Sequence, residues 1–390
     1  MQTYLVGGAV RDKRLGLPVQ ERDWVVVGAT PQQMLELGYQ AVGRDFPVFL
    51  HPRTKEEYAL ARTERKTAPG YTGFETCATP DITLEEDLQR RDLTINAMAE
   101  TPEGELIDPY NGLDDLNNGV LRHVSAAFAE DPVRILRTAR LAARFAKWGF
   151  HVAHTTNALM RRMVENGEAS HLVAERVWAE LVKALDTETP VRFFRVLAGC
   201  GALGVLFPEL ASAESSNPEN SHAQDGIALP VLQQAVSISR LTAIRFAALA
   251  CDMDNLHPDG SGNEALASLC ERYRVPNACR DLARLALQYR RPLQAAPRLS
   301  PEALLDLLEN ADAFRRADRF SELLKVCAAD ATVAQRECNS DYLLQALAAA
   351  QAVSTDGLLQ QGLSGKELGV ALQQQRIEAI RQLNKKVLPQ

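Results

Sequence analysis

Two carboxylates flank one arginine in Glu21-Arg22-Asp23, which runs directly into Trp24-Val25-Val26-Val27. If a strand begins at Glu21, period-two alternation sets both acids on one face and Arg22 on the other. Acids that close repel unless a cation lies between them, and hard oxygen donors favour Mg²⁺ bridged to phosphate. The implied chemistry is metal-assisted phosphoryl or nucleotidyl transfer. Upstream, Gly7-Gly8-Ala9-Val10-Arg11 follows a short apolar run and precedes a periodic one, the place where a strand turns into a helix. There Gly8 lets backbone N–H groups approach an anion, and Arg11 adds a charge-assisted contact. Downstream, Arg90-Arg91-Asp92 lies in a stretch whose Leu84, Leu88, Ile95 and Met98 mark the apolar face of one helix. Adjacent on that helix, Arg91 and Asp92 diverge and are free to reach outward. Finally, Asp131 reads as an N-cap with Pro132 at the first helical position. Ile135, Leu136, Ala139, Ala142, Ala143 and Ala146 fall on the packed side of that helix, and Arg134, Arg137, Arg140 and Arg144 form a basic stripe on the other. Each motif alone is equally well a turn, a charged strand start or a solvated helix face.

Elements to position them are legible. Short β-branched or aromatic runs at 4–6, 24–27, 48–51, 58–61 and 106–107 read as strands, and the Thr/Gly/Pro-rich stretch from Arg65 to Asp81 reads as a loop. From Glu130 onward the apolar rhythm is helical almost throughout, broken at Ser212–Asp225 and again around Asp252–Asn263. The fold class expected is therefore α+β, a mixed-sheet head followed by helices, with domains at 1–125, 126–212 and 226–390.

Of the 390 residues, 46% are hydrophobic and 24% charged, and no apolar run approaches the roughly 20 residues needed to cross a bilayer. A cytoplasmic protein without a membrane partner is expected. Seven scattered cysteines without Cys-x-x-Cys spacing argue for reduced, packed thiols. A net charge of −7 leaves any polyanion binding to local basic faces.

In combination, the glycine pair with Arg11 and the acid-x-acid pair resemble the DNA-polymerase-β-like nucleotidyltransferase superfamily. With Arg90-Arg91-Asp92 and Glu130-Asp131-x-x-Arg134 in the same order, residues 1 to about 210 resemble the bacterial class II tRNA nucleotidyltransferases, the CCA-adding enzymes. That resemblance implies a nucleotidyltransferase head, then an all-α neck, body and tail. It implies tRNA as partner, ATP and CTP as substrates and Mg²⁺ as cofactor, in a monomer or a homodimer. Glu21 and Asp23 would hold the metal, and Gly8 and Arg11 the triphosphate. Arg91 and Asp92 would distinguish a ribonucleotide, Asp131 and Arg134 would read the base edge, and Arg137 and Arg140 would support the nucleotide. Glu57 and Glu64 are equal candidates for a third carboxylate.

Some relatives carry a C-terminal HD-type phosphohydrolase, whose metals need an adjacent His-Asp pair. Here Cys251-Asp252 stands in that place, and only His222 and His257 follow residue 200. Phosphohydrolase activity is expected to be absent, and Arg280, Arg284, Arg290 and Arg291 are candidates for holding tRNA. The rivals are a poly(A) polymerase, which would normally carry strongly basic extensions, a metal-dependent phosphohydrolase, and a non-catalytic RNA-binding module.

Overall fold

In the computed structural model, residues 1–42, 48–66, 74–211 and 227–387 are described, and the chain divides into two compact units. One comprises Met1–Ala184 with Glu188–Ile227, the other Leu185–Thr187 with Ala228–Gln390. The expected break at Ser212–Asp225 and the centre of the expected 65–81 loop lie outside the described residues.

The first unit opens with β1 (Gln2–Val6), α1 (Gly8–Arg14), β2 (Asp23–Val27), α2 (Pro31–Glu36), β3 (Gln40–Val42), β4 (Val48–Leu50) and β5 (Glu57–Leu60). A hairpin of β6 (Thr63–Lys66) and β7 (Phe74–Cys77) follows, so the stretch read as loop is partly paired strand. Then come α3 (Leu84–Gln89), β8 (Ala99–Glu100), β9 (Leu106–Ile107) and α4 (Gly112–Asn117). Seven strands form one sheet in the order β3-β4-β5-β2-β1-β8-β9, mixed because β2 and β5 run parallel while its other pairs are antiparallel. Alternation along β2 builds a core on each face. Val25 packs with Val6, Leu88 and Ala97 on one side, and Val26 with Met34, Phe49 and Leu60 on the other.

The short parallel pair β10 (Val120–Leu121) and β11 (His151–Val152) brackets α5 (Val133–Arg144), and helices continue with α6 (His154–Glu165), α7 (Ala174–Leu185), α8 (Val191–Gly199) and α9 (Ala202–Leu206). Ile135, Leu136, Ala139, Ala142 and Ala143 are buried, as the periodicity requires.

The second unit is helical: α10 (Pro230–Ile238), α11 (Thr242–Asn255), α12 (Gly262–Arg272), α13 (Asn277–Gln294), α14 (Pro301–Asn310), α15 (Ala317–Val333), α16 (Ser340–Gln351), α17 (Asp356–Gln360) and α18 (Gly365–Val387). The break expected around Asp252–Asn263 is narrower. α11 continues to Asn255, because Asp252 is tied to the backbone of α10 rather than exposed in a loop. The basic candidates on α13 also separate: Arg284 and Arg291 are exposed and Arg280 is half-buried beside Asp281, whereas Arg290 is 1% exposed and offers no surface to RNA. Five of the seven cysteines are buried, and all are free thiols. Among the described residues no helix is long and apolar enough to cross a membrane.

Candidate active site

The glycine turn lies where the sequence puts it. Buried Leu5 and Val6 anchor the end of β1, Gly7 adopts φ +70° and ψ −132°, a conformation natural to glycine, and α1 starts at Gly8. The Gly7 N–H donates to the Met98 carbonyl (3.2 Å), pinning the turn to the segment before β8. A Cβ at Gly7 would come within 3.0 Å of Arg91 Nη1, so the Arg91 guanidinium lies against the turn. Asp87 holds Arg91 there (3.1 Å), and also accepts from Arg90 (2.6 Å) and from the Arg62 N–H (3.3 Å). Burial alone would raise the Asp87 pKa, but Arg91 and Arg90 hold it below the usual carboxylate range.

β2 starts at Asp23, not at Glu21. Glu21 and Arg22 have no ladder partner because β1 gives way to the glycine turn beyond Val6, the residue paired with Asp23, and the β5 ladder begins at Glu57. Glu21 therefore lies outside the strand whose alternation would set it beside Asp23. Both acids nevertheless line one cleft of about 600 Å³, together with Thr54, Lys55, Glu56 and Glu57. The Asp23 carboxyl is pushed up, chiefly by desolvation and further by Glu21, while Arg91 and Arg137 draw it down. Three of the proposed site residues are thus within electrostatic reach of Asp23. Glu57 sits directly opposite Asp23 in the parallel register. The Glu64 side chain lies outside the described residues.

The Arg90-Arg91-Asp92 segment departs from the expected single helix. α3, fixed by a capping box of Thr83 and Glu86, stops at Gln89, and Leu93 is extended before a 3₁₀ turn at Thr94–Asn96. The apolar spacing is met by a turn instead, because Asp92 is better bonded there than on a helix face. Its Oδ1 accepts from the Leu93 N–H (2.9 Å) and Asn96 Nδ2 (3.0 Å), and its Oδ2 from Arg137 Nε (2.7 Å). Asp92 is buried rather than reaching outward. Although burial opposes its ionisation, Arg137 and Asn96 hold its pKa far below the ordinary value.

This bonding extends in both directions. Asn96 Oδ1 accepts from Arg11 Nη1 (2.5 Å), Arg11 chelates Asp12 Oδ1 (2.7 and 2.8 Å), and Asp12 Oδ2 accepts from Arg144 (2.8 Å). A continuous chain of hydrogen bonds and ion pairs thus joins α1, the Asp92 turn and α5, through Arg137 and Arg144. Arg11, buried, also lies over the Phe145 ring (5.1 Å) and passes close beneath Gly8.

α5 starts at Val133, one residue later than expected, yet Asp131 does cap it through the Val133 N–H (3.1 Å). The basic stripe is not a solvated face. Arg134 is buried and donates to the carbonyls of Ala127 (2.9 Å) and Arg90 (2.6 Å), and Arg140 pairs with Glu180 (2.5 Å). Asp131 accepts two bonds from Arg176 (3.0 and 2.7 Å). Arg176 and Glu180, one turn apart on α7, are residues that motif reading missed; their signal was an opposite-charge i,i+4 pair on a helix that also carries Glu175 and Lys183.

Among the described residues no three His, Cys, Asp or Glu side chains converge as a metal cage. Glu21 and Asp23 bring two hard-oxygen carboxylates to the lining of one cleft, the donor type of a cation that also takes water and phosphate ligands.

The chain is similar to known proteins in both sequence and fold. Residues 3–122 match the family "Poly A polymerase head domain", and residues 149–214 match "Probable RNA and SrmB- binding site of polymerase A". The chain is 53% identical over 403 residues to the Multifunctional CCA protein of Thioalkalivibrio sulfidiphilus, covering 98% of both chains. It is 52% identical over 402 residues to that of Nitrosococcus oceani, again with 98% of each covered. Its fold resembles the Thermotoga maritima CCA-adding enzyme complexed with tRNA, with TM-score 0.65, 22% identity, and 99% of this chain and 90% of that one covered. A CCA-adding enzyme in complex with ATP aligns at TM-score 0.66 and 22% identity, with 99% and 89% covered. With identity above one half across nearly its whole length, the chain belongs to the bacterial class II CCA-adding tRNA nucleotidyltransferases.

Proposed function

We propose that this protein adds C, C and A from CTP and ATP to the 3′ end of tRNA, releasing pyrophosphate, with Mg²⁺ as its metal and the cytoplasm as its place of work. The observation that carries the site assignment is the cleft that Glu21 and Asp23 line together, with Arg91 lying against the glycine turn at the end of β1. The catalytic head is residues 1–125, the neck and base-reading region 126–212, and the helical body and tail 226–390.

Glu21 and Asp23 would hold the metal, which when bound would supply activation for the attacking tRNA hydroxyl and charge neutralisation for the departing pyrophosphate. The turn at Gly7-Gly8 gives the triphosphate close access to backbone N–H groups, and Arg91, pinned by Asp87, meets its charge. Arg11 fixes the start of α1 under that turn. Asp92 holds Arg137 toward the nucleotide; Asp92 can exchange Arg137 for a donating ribose hydroxyl, and Arg137 can exchange Asp92 for a phosphate. Asp131 and Arg134 read the base edge, where a bidentate carboxylate or guanidinium contact discriminates by about 1–3 kcal/mol. To do so they exchange the partners they hold here, Arg176 for the one and the carbonyls of Ala127 and Arg90 for the other. Arg140, steadied by Glu180, completes the support. Phosphohydrolase activity is absent, since Cys251 replaces the histidine of the required pair.

The test incubates the protein with Mg²⁺, a tRNA lacking its 3′ end, and CTP and ATP separately and together. Addition of C, C, A and arrest supports the reading. A growing A tract, or no incorporation, overturns it.

A further inference from the structure

The relatives' description as multifunctional and the HD-like position of Cys251-Asp252 imply a metal centre in the second unit. The residues present do not fit one. The buried Cys251 thiol is pushed up to about 12, mainly by desolvation, and so stays a neutral thiol rather than a thiolate ligand. Asp252 commits both oxygens to the first turn of α10, accepting from the N–H groups of Val231 (3.0 Å) and Leu232 (2.8 Å). His257 Nδ1 bonds the Met253 carbonyl (2.8 Å).

What lies between α11 and α15 instead is Arg290. Its side chain is 1% exposed, among the most deeply buried large side chains of the described residues. Nη1 donates to the Cys251 carbonyl (3.2 Å), and Nη2 to Asp254 (2.7 Å) and Asn255 (3.0 Å). Nε stands 3.8 Å from Asp330, whose other oxygen accepts from Gln294 (2.8 Å). A guanidinium keeps its charge at any physiological pH and presents five N–H donors in a rigid fork, so it can neutralise several inward acids at once. A divalent ion placed there would add charge beside a fixed cation, next to Asp252, whose two oxygens are committed, and to Asp254 and Asp330, each of which already gives one oxygen to a donor.

We propose that Arg290 is a built-in cation that has taken the metal's place, joining α11, α13 and α15 into a metal-independent scaffold. The inference rests on the reading that the second unit lacks phosphohydrolase activity, and goes further by naming what replaced the metal.

The experiment uses the full chain carrying Glu21→Ala and Asp23→Ala, so that the head does not report. After exposure to Mn²⁺ and dialysis, elemental analysis should find no retained metal, and EDTA should leave the melting temperature unchanged. Arg290→Met in the same background, which strands buried acids, should lower the melting temperature by roughly 6–20 °C, and Arg290→Lys by less. Retention of one Mn²⁺ per chain that Asp252→Ala or Asp330→Ala abolishes overturns the assignment. So does an Arg290→Met protein melting within about 2 °C of its parent. Hydrolysis of bis(p-nitrophenyl) phosphate by the metal-free chain would sink the phosphohydrolase-negative reading while leaving Arg290 as the resident cation.

Discussion

Replacing Gly7 by alanine tests the coupling between the glycine turn and the arginine beside it. At φ +70° and ψ −132°, any residue with a Cβ is strained, at a cost of about 1–3 kcal/mol. The added methyl would also sit 3.0 Å from Arg91 Nη1, a separation at which the guanidinium must yield by a few tenths of an ångström. Arg91 is tethered by one bond to Asp87 and cannot move without loosening it. If the displacement forfeits one charge-assisted bond to the triphosphate, worth about 1.5–3 kcal/mol, kcat/KM for CTP falls by roughly 10- to 150-fold. Single-turnover incorporation of CTP into tRNA, alongside thermal melting and tRNA affinity, separates the two effects. A loss of several degrees in melting temperature, a tenfold or greater loss with both CTP and ATP, and unchanged tRNA affinity are expected. Wild-type kcat/KM in a Gly7→Ala protein would refute the contact between turn, Arg91 and nucleotide.

Arg134→Ala removes a buried guanidinium and leaves the carbonyls of Ala127 and Arg90 short of a donor; a stability loss of about 2–4 kcal/mol by denaturant unfolding is expected, with blurred CTP/ATP choice in competition assays. Arg176→Ala frees Asp131, so nucleotide choice should shift in the same assay while stability changes by less than about 1 kcal/mol, the pair being partly solvated. Asp252 is pushed up to about 7, chiefly by burial, with Asp330 adding to the rise and Arg290 opposing it. A raised carboxyl contributes stability that is complete below its unfolded value near 4 and is lost as pH climbs through the folded value. Melting of the wild type should therefore improve from pH 8 to pH 5 more than that of Asp252→Asn, and equal slopes would count against it.

Local chemistry made much of this protein legible. The Gly7 turn, β2, the Asp131 cap and the packed side of α5 depend on residues within a few positions of one another, and each lies within a residue or two of where spacing puts it. The misread charged residues share one cause. The apolar period from Leu84 to Met98 fits a helix, but Asp92 gains more from Asn96 and from Arg137, 45 residues away, than a helix face offers. The same distance separates Asp131 from Arg176, and 39 residues separate Arg290 from Cys251. Charges that look solvated in one helix are buried by partners that no local window contains. The net charge of −7 was similarly silent about RNA, because it only sums 43 Lys and Arg against 50 Asp and Glu and says nothing of where they cluster.

The central claim is that the carboxylates of Glu21 and Asp23 hold the divalent ion on which transfer depends. Electron paramagnetic resonance of Mn²⁺ with CTP, run with incorporation on the same samples, tests it for wild type, Glu21→Ala and Asp23→Ala. Loss of the bound-ion signal together with loss of C addition in both variants, their melting curves intact, is the expected result. Turnover at the wild-type rate in Asp23→Ala would contradict it.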